Sequence, residues 1–219
     1  MLDRFHPPVE EYLEAIFSLE EEGIPVIQAR LAERLDKAAP SVSEMLDRLE
    51  GEGFISRSAR QISLTPEGAA LAEGVVRKHR LAERLLVDII GLEWDKAHLE
   101  AGRWEHVISD DVEARLVELL HHPTTCPHGN PIPGMEPTGP EQHRLADAVP
   151  GDQVRIERIT ESVEHDAASL SYLGDNGLTP GTTATIHAKA PDGTLTLVVG
   201  DATIALGPTI TNQLFVAAV

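Results

Sequence analysis

The feature that most limits what this chain can fold into is a change of hydrophobic period on either side of residues 121–150. Before that stretch, apolar residues recur at helical spacing; after it, apolar and polar residues alternate as they do in strands. The run between is His121-His122-Pro123-Thr124-Thr125-Cys126-Pro127-His128-Gly129-Asn130-Pro131-Ile132-Pro133-Gly134, continuing to Pro137 and Pro140. Proline and glycine at this density stop both periods, so the run reads as a linker of extended and turn segments. Cys126 and His128 raise a zinc reading, but no second ligand pair stands at finger spacing, and plain linker is the preferred reading. The chain is therefore expected to be mainly α with β, its helices first and a small β unit last.

The helical half opens with a recognisable order. Val9, Tyr12, Leu13, Ile16, Phe17 and Leu19 form an apolar stripe that Gly23 closes. A helix over 28–35 follows, then a third over 40–50 that carries Val42, Met45, Leu46 and Leu49 inward. Residues 54–57 and 61–64 alternate like two short strands, and Thr65-Pro66 provides an N-cap and a first-turn proline. Three helices and a hairpin make a winged helix-turn-helix, which places its second motif helix in the major groove. Ser41, Ser43, Glu44, Asp47 and Arg48 are its outward residues, and Arg57 and Arg60 of the wing are placed to meet phosphate. A winged helix used for protein contacts is the alternative.

From Thr65 to about Leu120 the pattern stays helical, interrupted at Gly91, with further helices expected over 97–109 and 111–120. Leu81, Leu85, Leu86, Ile89 and Ile90 exceed what one amphipathic face needs, which points to a dimer seam. This region also concentrates metal-binding side chains. His79 and Glu83 are four residues apart and share a helix face; His98 and Glu105 are about two turns apart, with His106 adjacent. Imidazole and carboxylate converging from two helices suit a hard or borderline divalent cation.

Beyond Asp152, alternating runs at 154–159, 184–188, 194–199, 203–206 and 214–219 surround one short helix near Ser169, a pattern that implies a small barrel. The expected domains are 1–73, 74–140 and 151–219, with 141–150 as linker.

Charge constrains partners. The formal net charge is -18, and it is spread evenly: residues 1–60 carry 7 basic and 13 acidic side chains, 61–139 carry 7 and 13, and 140–219 carry 4 and 10. No basic arm offsets the total, so DNA binding needs locally placed cations or a neutralising ion. One cysteine excludes an internal disulfide and fits a reducing cytoplasm. The N-terminal residues show no apolar signal segment, and no run approaches the roughly 20 apolar residues of a membrane span. No Walker loop, G-x-S-x-G or zinc-protease motif occurs, so an enzyme is not expected.

Three long motifs, Arg77-Lys78-His79-Arg80-Leu81-Ala82-Glu83-Arg84-Leu85-Leu86, Arg103-Trp104-Glu105-His106-Val107 and Gly129-Asn130-Pro131-Ile132-Pro133-Gly134, resemble the DtxR/MntR family of metal-dependent repressors. Ala29-Arg30-Leu31-Ala32-Glu33-Arg34-Leu35 and Pro40-Ser41-Val42-Ser43 match its DNA-binding helices, and the likeness runs nearly the whole chain. It implies a cytoplasmic homodimer with a C-terminal SH3-like barrel. Such a dimer binds operator DNA when loaded with Mn(II) or Fe(II), turns down metal-uptake genes and takes no small organic substrate. DNA contacts implied by the resemblance are Gln28, Arg30, Ala38, Pro40, Ser41, Ser43, Glu44, Arg48 and Arg60.

The resemblance also implies a pair of metal sites in each subunit. The ancillary one takes His79, Glu83 and His98, with Glu161 and Glu164 supplied by the barrel segment Thr160-Glu161-Ser162-Val163-Glu164. At the primary one, Glu105 and His106 match. Glu11 replaces a methionine ligand, Gly102 stands where iron-type members have Cys and manganese-type members Glu, and Glu14 aligns with a manganese-type carboxylate. Gly102 offers only its backbone carbonyl. Loss of both sulfur ligands leaves oxygen and imidazole, which leans toward Mn(II), with Fe(II) as the alternative.

Overall fold

The computed structural model describes residues 7–135 and 139–219; the opening residues 1–6 and Pro137 of the proline-rich run lie outside them. Helix α1 (Pro7–Glu21) buries Val9, Tyr12, Leu13, Ile16 and Leu19, the stripe expected from spacing. Helix α2 (Gln28–Arg34), helix α3 (Ala39–Gly51) and the hairpin β1 (Ile55–Ser58)–β2 (Gln61–Leu64) close one core over it, with Leu31, Val42, Leu46, Leu49, Ile55 and Ile62 buried. The winged helix-turn-helix is present. Thr65 caps α4 (Pro66–Arg84) through its hydroxyl, which accepts from Gly68 N–H at 3.1 Å.

Helix α4 is the spine of the molecule. Its later turns bury His79, Arg80 and Glu83 among Val75, Val76, Leu81 and Ala82, so charged groups occupy positions that apolar side chains usually fill. A tighter-than-usual burial of this kind needs partners, and they come from every other part of the chain. After α4 a π-helical turn (Leu85–Ile90) ends at Gly91, whose φ of +80° is the left-handed conformation glycine adopts without a Cβ penalty. Helix α5 (Ala97–Trp104) is shorter than the expected span to Ser109, because Ser109 instead caps α6 (Asp110–Leu119). Glu105 thus sits just past the end of α5 rather than inside it.

Residues 121–135 are not the free linker expected from their prolines. Cys126, His128 and Asn130 are buried, and the segment folds back on itself: Cys126 N–H donates to Asn130 O at 2.8 Å and Ile132 N–H to Thr124 O at 2.9 Å. Arg84 donates to the carbonyls of Thr125 (2.7 Å) and Cys126 (3.1 Å), and Ile159 N–H donates to His128 O at 2.9 Å. Satisfied backbone groups are what allow irregular chain to be buried. Gly129 is obligatory at the tightest point. Its φ is +89°, and a Cβ there would lie 2.0 Å from the Glu157 carbonyl oxygen. Gly129→Ala should therefore destabilise the protein by about 2 kcal/mol or more. That lowers Tm by roughly 4–8 °C in a thermal melt; an unchanged Tm would contradict this packing.

The C-terminal unit is an antiparallel sheet ordered β3-β8-β4-β5-β6-β7, from β3 (His143–Arg144), β4 (Gln153–Ile159), β5 (Thr183–Lys189), β6 (Leu195–Val199), β7 (Ala202–Leu206) and β8 (Leu214–Ala218). Val154, Ile156, Ile186, Leu195, Leu197, Ile204, Leu206, Leu214 and Val216 face one core. Between β4 and β5 stand α7 (Glu161–Glu164) and α8 (Ala167–Asp175), and α9 (Pro208–Thr211) precedes β8. The short helix α7 points its residues back at the helical half. There Ser162 N–H donates to Glu22 at 3.1 Å, and Arg34 donates to both Glu22 (2.6 Å) and Ser162 (2.7 Å). No described helix is long and apolar enough to cross a membrane.

Candidate metal centre and DNA-reading face

The buried polar residues of α4 meet carboxylates and imidazoles from three other segments, in two adjoining groups. In the inner group, His79 Nε2 lies 3.2 Å from Glu83 Oε1 and 3.0 Å from His98 Nδ1. His98 Nδ1 is 3.2 Å from Glu83 Oε1 and 3.0 Å from Glu164 Oε2. His128 completes the ring, its Nδ1 3.3 Å from Glu83 Oε1 and 3.2 Å from Glu164 Oε2. Cys126 shares a group with Glu83 and His128 whose ligand atoms all lie within 4.8 Å of one another. Donors that sit about 3.4 Å apart bound a tetrahedral sphere with metal–ligand bonds of roughly 2.1 Å. The spacing fits one divalent ion.

A second observation supports the fit. His128 Nε2 lies 3.2 Å from the Trp94 carbonyl oxygen, which can only accept, so in the neutral ring the proton sits on Nε2 and Nδ1 carries the lone pair. That Nδ1 is fully buried without a hydrogen-bond partner among the described residues, facing two carboxylate oxygens. Lone pairs aimed at one another need a cation or a proton between them. Among the residues expected from the sequence, His79, Glu83, His98 and Glu164 are brought together here. Glu161 is not: its carboxylate takes the Arg80 guanidinium at 2.9 Å and the Ser18 hydroxyl. Cys126 and His128 are the residues the sequence reading set aside. Their only signal was burial-prone residue types in a proline run, and spacing says nothing there.

The outer group gathers Glu14, His79 and Glu105, whose ligand atoms lie within 4.8 Å of one another. His79 Nδ1 meets Glu105 Oε2 at 2.5 Å, so the ring touches both groups, one nitrogen free to ligate and the other donating its N–H to a carboxylate. His106 stands beside them, Nε2 3.1 Å from Glu105 Oε1 and Nδ1 2.5 Å from Glu10 Oε2. The sequence nominated Glu11 and Glu14 on α1; Glu14 joins this group, Glu10 is the α1 carboxylate that meets His106, and Glu11 bonds Lys37 at 3.3 Å. Successive helical residues are about 100° apart, enough to redirect a side chain. Gly102 lies on the wall of an approximately 880 Å³ cavity shared with Glu11, Glu14 and Glu105, and a Cβ there would meet nothing within 4 Å.

Electrostatics explains why these groups want a cation. Burial, and then the Glu105 carboxylate, push the Glu14 carboxyl up to about 8. Burial disfavours a charged His98 ring, but its bonds to Glu164 and Glu83 outweigh this and lift it to about 10. Protons hold the places a metal ion would take. At pH 7 Glu14 keeps its proton, so an ion bound there must displace it. Its apparent affinity should rise at least about tenfold per pH unit up to near pH 8, since the His79 and His106 rings, whose carboxylate partners keep them protonated despite burial, must also give up their protons. Mn(II) titrations across this range check the slope; a flat response would contradict a carboxyl held protonated.

On the DNA-reading side, Ala38, Pro40, Ser41, Glu44 and Arg48 are exposed at or beside α3, and Ser43 is half-buried. Gln28 spends its side-chain amide on Ala39 O at 2.9 Å, tying α2 to the start of α3. Arg30 and Arg60 are exposed. Arg57, expected at phosphate, is folded back onto Asp47 (2.7 Å) and Glu50 (2.5 Å).

Comparison with known proteins gives three consecutive domain matches. Residues 4–61 match the iron dependent repressor N-terminal DNA binding domain, 65–134 the iron dependent repressor metal binding and dimerisation domain, and 143–218 the FeoA domain. The iron-dependent repressor IdeR of Mycobacterium tuberculosis is 46% identical over 202 residues, covering 87% of each chain. The diphtheria toxin repressor of Corynebacterium diphtheriae is 43% identical over 200 residues, covering 86% of this chain and 87% of that one. A solved manganese-dependent transcriptional repressor in complex with manganese superposes with a TM-score of 0.87 at 29% identity, covering 96% of this chain and 100% of that one.

Proposed function

The chain belongs to the iron-dependent repressor (DtxR) family of metal-dependent transcriptional repressors, and on that premise we propose that it binds operator DNA as a homodimer when loaded with Mn(II) and thereby controls metal-uptake genes. As in the rest of that family, it regulates transcription rather than catalysing a reaction.

The observation that carries the metal is the outer group. Its side chains are Glu10, Glu14, His79, Glu105 and His106, oxygen and imidazole without sulfur. Such a set suits Mn(II) and gives no advantage to softer ions. Raw affinity still rises from Mn(II) to Fe(II), and the relatives at 43–46% identity are named for iron or for the toxin gene, so Fe(II) is the second reading.

The chain's own residues supply the coupling. Glu10 and Glu14 belong to the first helix of the reading domain; Glu105 and His106 follow α5. A divalent ion held by both would neutralise the carboxylate crowd and fix the reading domain relative to the helical region. The inner group would hold a second ion among His79, Glu83, His98, His128 and Glu164, with Cys126 beside it, joining α4, α5, the 121–135 segment and α7. The effect on DNA follows from tighter metal binding in the DNA-competent arrangement. Exposed Ile89, Ile90, Leu99 and Val107 supply an apolar face for the dimer, whereas Leu81 and Leu86, expected at the seam, are buried within the chain. With two reading helices about 34 Å apart, the dimer meets successive major grooves.

Metal choice is tested by titrating apo-protein on the DNA upstream of its own reading frame with Mn(II), and with Fe(II) under anaerobic conditions. Saturation at lower Mn(II) supports the manganese reading; saturation at lower Fe(II) overturns it in favour of iron.

A further inference from the structure

Among the described residues of the reading domain, most cations near the DNA face are held in ion pairs, exposed Arg60 standing in none of them. Arg30 is held by Glu33 at 2.8 Å, Arg48 by Glu52 at 2.8 Å, and Arg57 by Asp47 and Glu50. None of these acidic partners lies on α1 or lines the cavity of the outer metal group, so an ion bound there does not reach them. Lys37 differs. It sits in the turn between α2 and α3, next to the exposed N-terminus of the reading helix, and its partner is Glu11, 3.3 Å away. Glu11 lies on α1 three residues before Glu14 and lines the same cavity as Glu14, Gly102 and Glu105. One carboxylate therefore stands between a cation at the DNA face and the outer metal group.

We propose that Lys37 is a DNA-phosphate contact held in reserve by Glu11, and that an ion in the outer group draws Glu11 away and frees it. The wall position that Gly102 leaves without a side chain gives the Glu11 carboxylate room to turn inward. The exchange is easy because the pair is exposed, Lys37 at 38% and Glu11 at 40% of their side-chain surface. Such exposed pairs contribute little, whereas a carboxylate on a divalent ion is held far more firmly. Helix N-termini already favour phosphate, so a lysine released beside α3 adds a point charge where the backbone passes. In a chain of net charge -18, one freed cation at this place matters.

The proposal rests on the reading of the chain as a metal-loaded DNA binder, and the experiment separates the two. Operator affinity is measured against salt concentration for Mn(II)-saturated and metal-free wild type, Lys37→Ala and Glu11→Gln, with Mn(II) content determined in parallel. Loss of one phosphate contact lowers the slope of log K against log salt by about 0.9. Lys37→Ala should lower the Mn(II)-saturated slope by that amount, weaken binding several-fold and leave Mn(II) content unchanged. Glu11→Gln should raise the metal-free slope by the same amount, Lys37 being free without an ion. A Lys37→Ala slope equal to wild type overturns the proposal, as does a Glu11→Gln slope unchanged without metal. Failure of wild type to bind DNA with Mn(II) would instead overturn the functional reading itself.

Discussion

Glu105→Ala is expected to abolish metal-dependent DNA binding while leaving the fold intact. Glu105 is 5% exposed and touches both histidines of the outer group, His79 at 2.5 Å and His106 at 3.1 Å. Its removal takes a ligand from that group and also frees the His79 ring that serves the inner one. Loss of even an outer-shell partner costs roughly 10–100-fold in metal affinity, so loss of a ligand should cost at least that. Operator binding at an Mn(II) concentration that saturates wild type should fall to the metal-free level. Glu105 lies past the end of α5 rather than in a hydrophobic core, so circular dichroism should stay native. Operator affinity and metal response equal to wild type would sink the coupling mechanism.

The second large effect is on stability. Arg80 is 1% exposed and binds Glu21 at 2.7 and 2.9 Å, Glu161 at 2.9 Å and the Pro131 carbonyl. One guanidinium thus ties α4 to α1, to the 121–135 segment and to the barrel. Arg80→Met keeps the volume and removes the charge, leaving the Glu161 carboxylate buried against Ser18 alone. Breaking one side of a buried pair typically costs 3–5 kcal/mol. Glu161 is held down to about 2, burial being outweighed by Arg80 first and by His79 next. Without Arg80 its pKa should climb. A depressed carboxylate stabilises above its unfolded pKa and loses that contribution as pH falls through the folded value. Because the unfolded carboxyl is common to both proteins, the stability gap between wild type and Arg80→Met should accordingly narrow as pH falls from the variant's raised Glu161 pKa toward about 2. Chemical denaturation across that range measures it; a gap below 1 kcal/mol at neutral pH would show the network to be dispensable.

What the sequence disclosed and what it did not divide along physical lines. His79 and Glu83 were legible as neighbours because helical periodicity turns a spacing of four into a face, whereas Glu105 and His106 lie past the end of α5 and were marked by the motif they stand in rather than by period. The wing and its three helices were legible because Thr65-Pro66, Gly53 and the alternating runs each mark an end. The place of Glu10 on His106 was not legible: one residue on a helix turns the side chain by about 100°, and only the packed structure shows that Glu10 faces His106 while Glu11 faces Lys37. Cys126 and His128 escaped because irregular chain has no period; they are placed by Arg84, by Gly129 against Glu157, and by the pairing of His128 O with Ile159. Glu161 and Glu164, three apart, looked alike, and only the position of Arg80 separates their fates.

The most direct test of the account is a footprinting titration of the wild-type protein on the DNA upstream of its own reading frame, with and without Mn(II), at one salt concentration. Protection of a symmetric site that appears with Mn(II) and vanishes on chelation is the predicted result. Equal protection without metal would contradict it, and would make the buried ligand groups structural rather than regulatory.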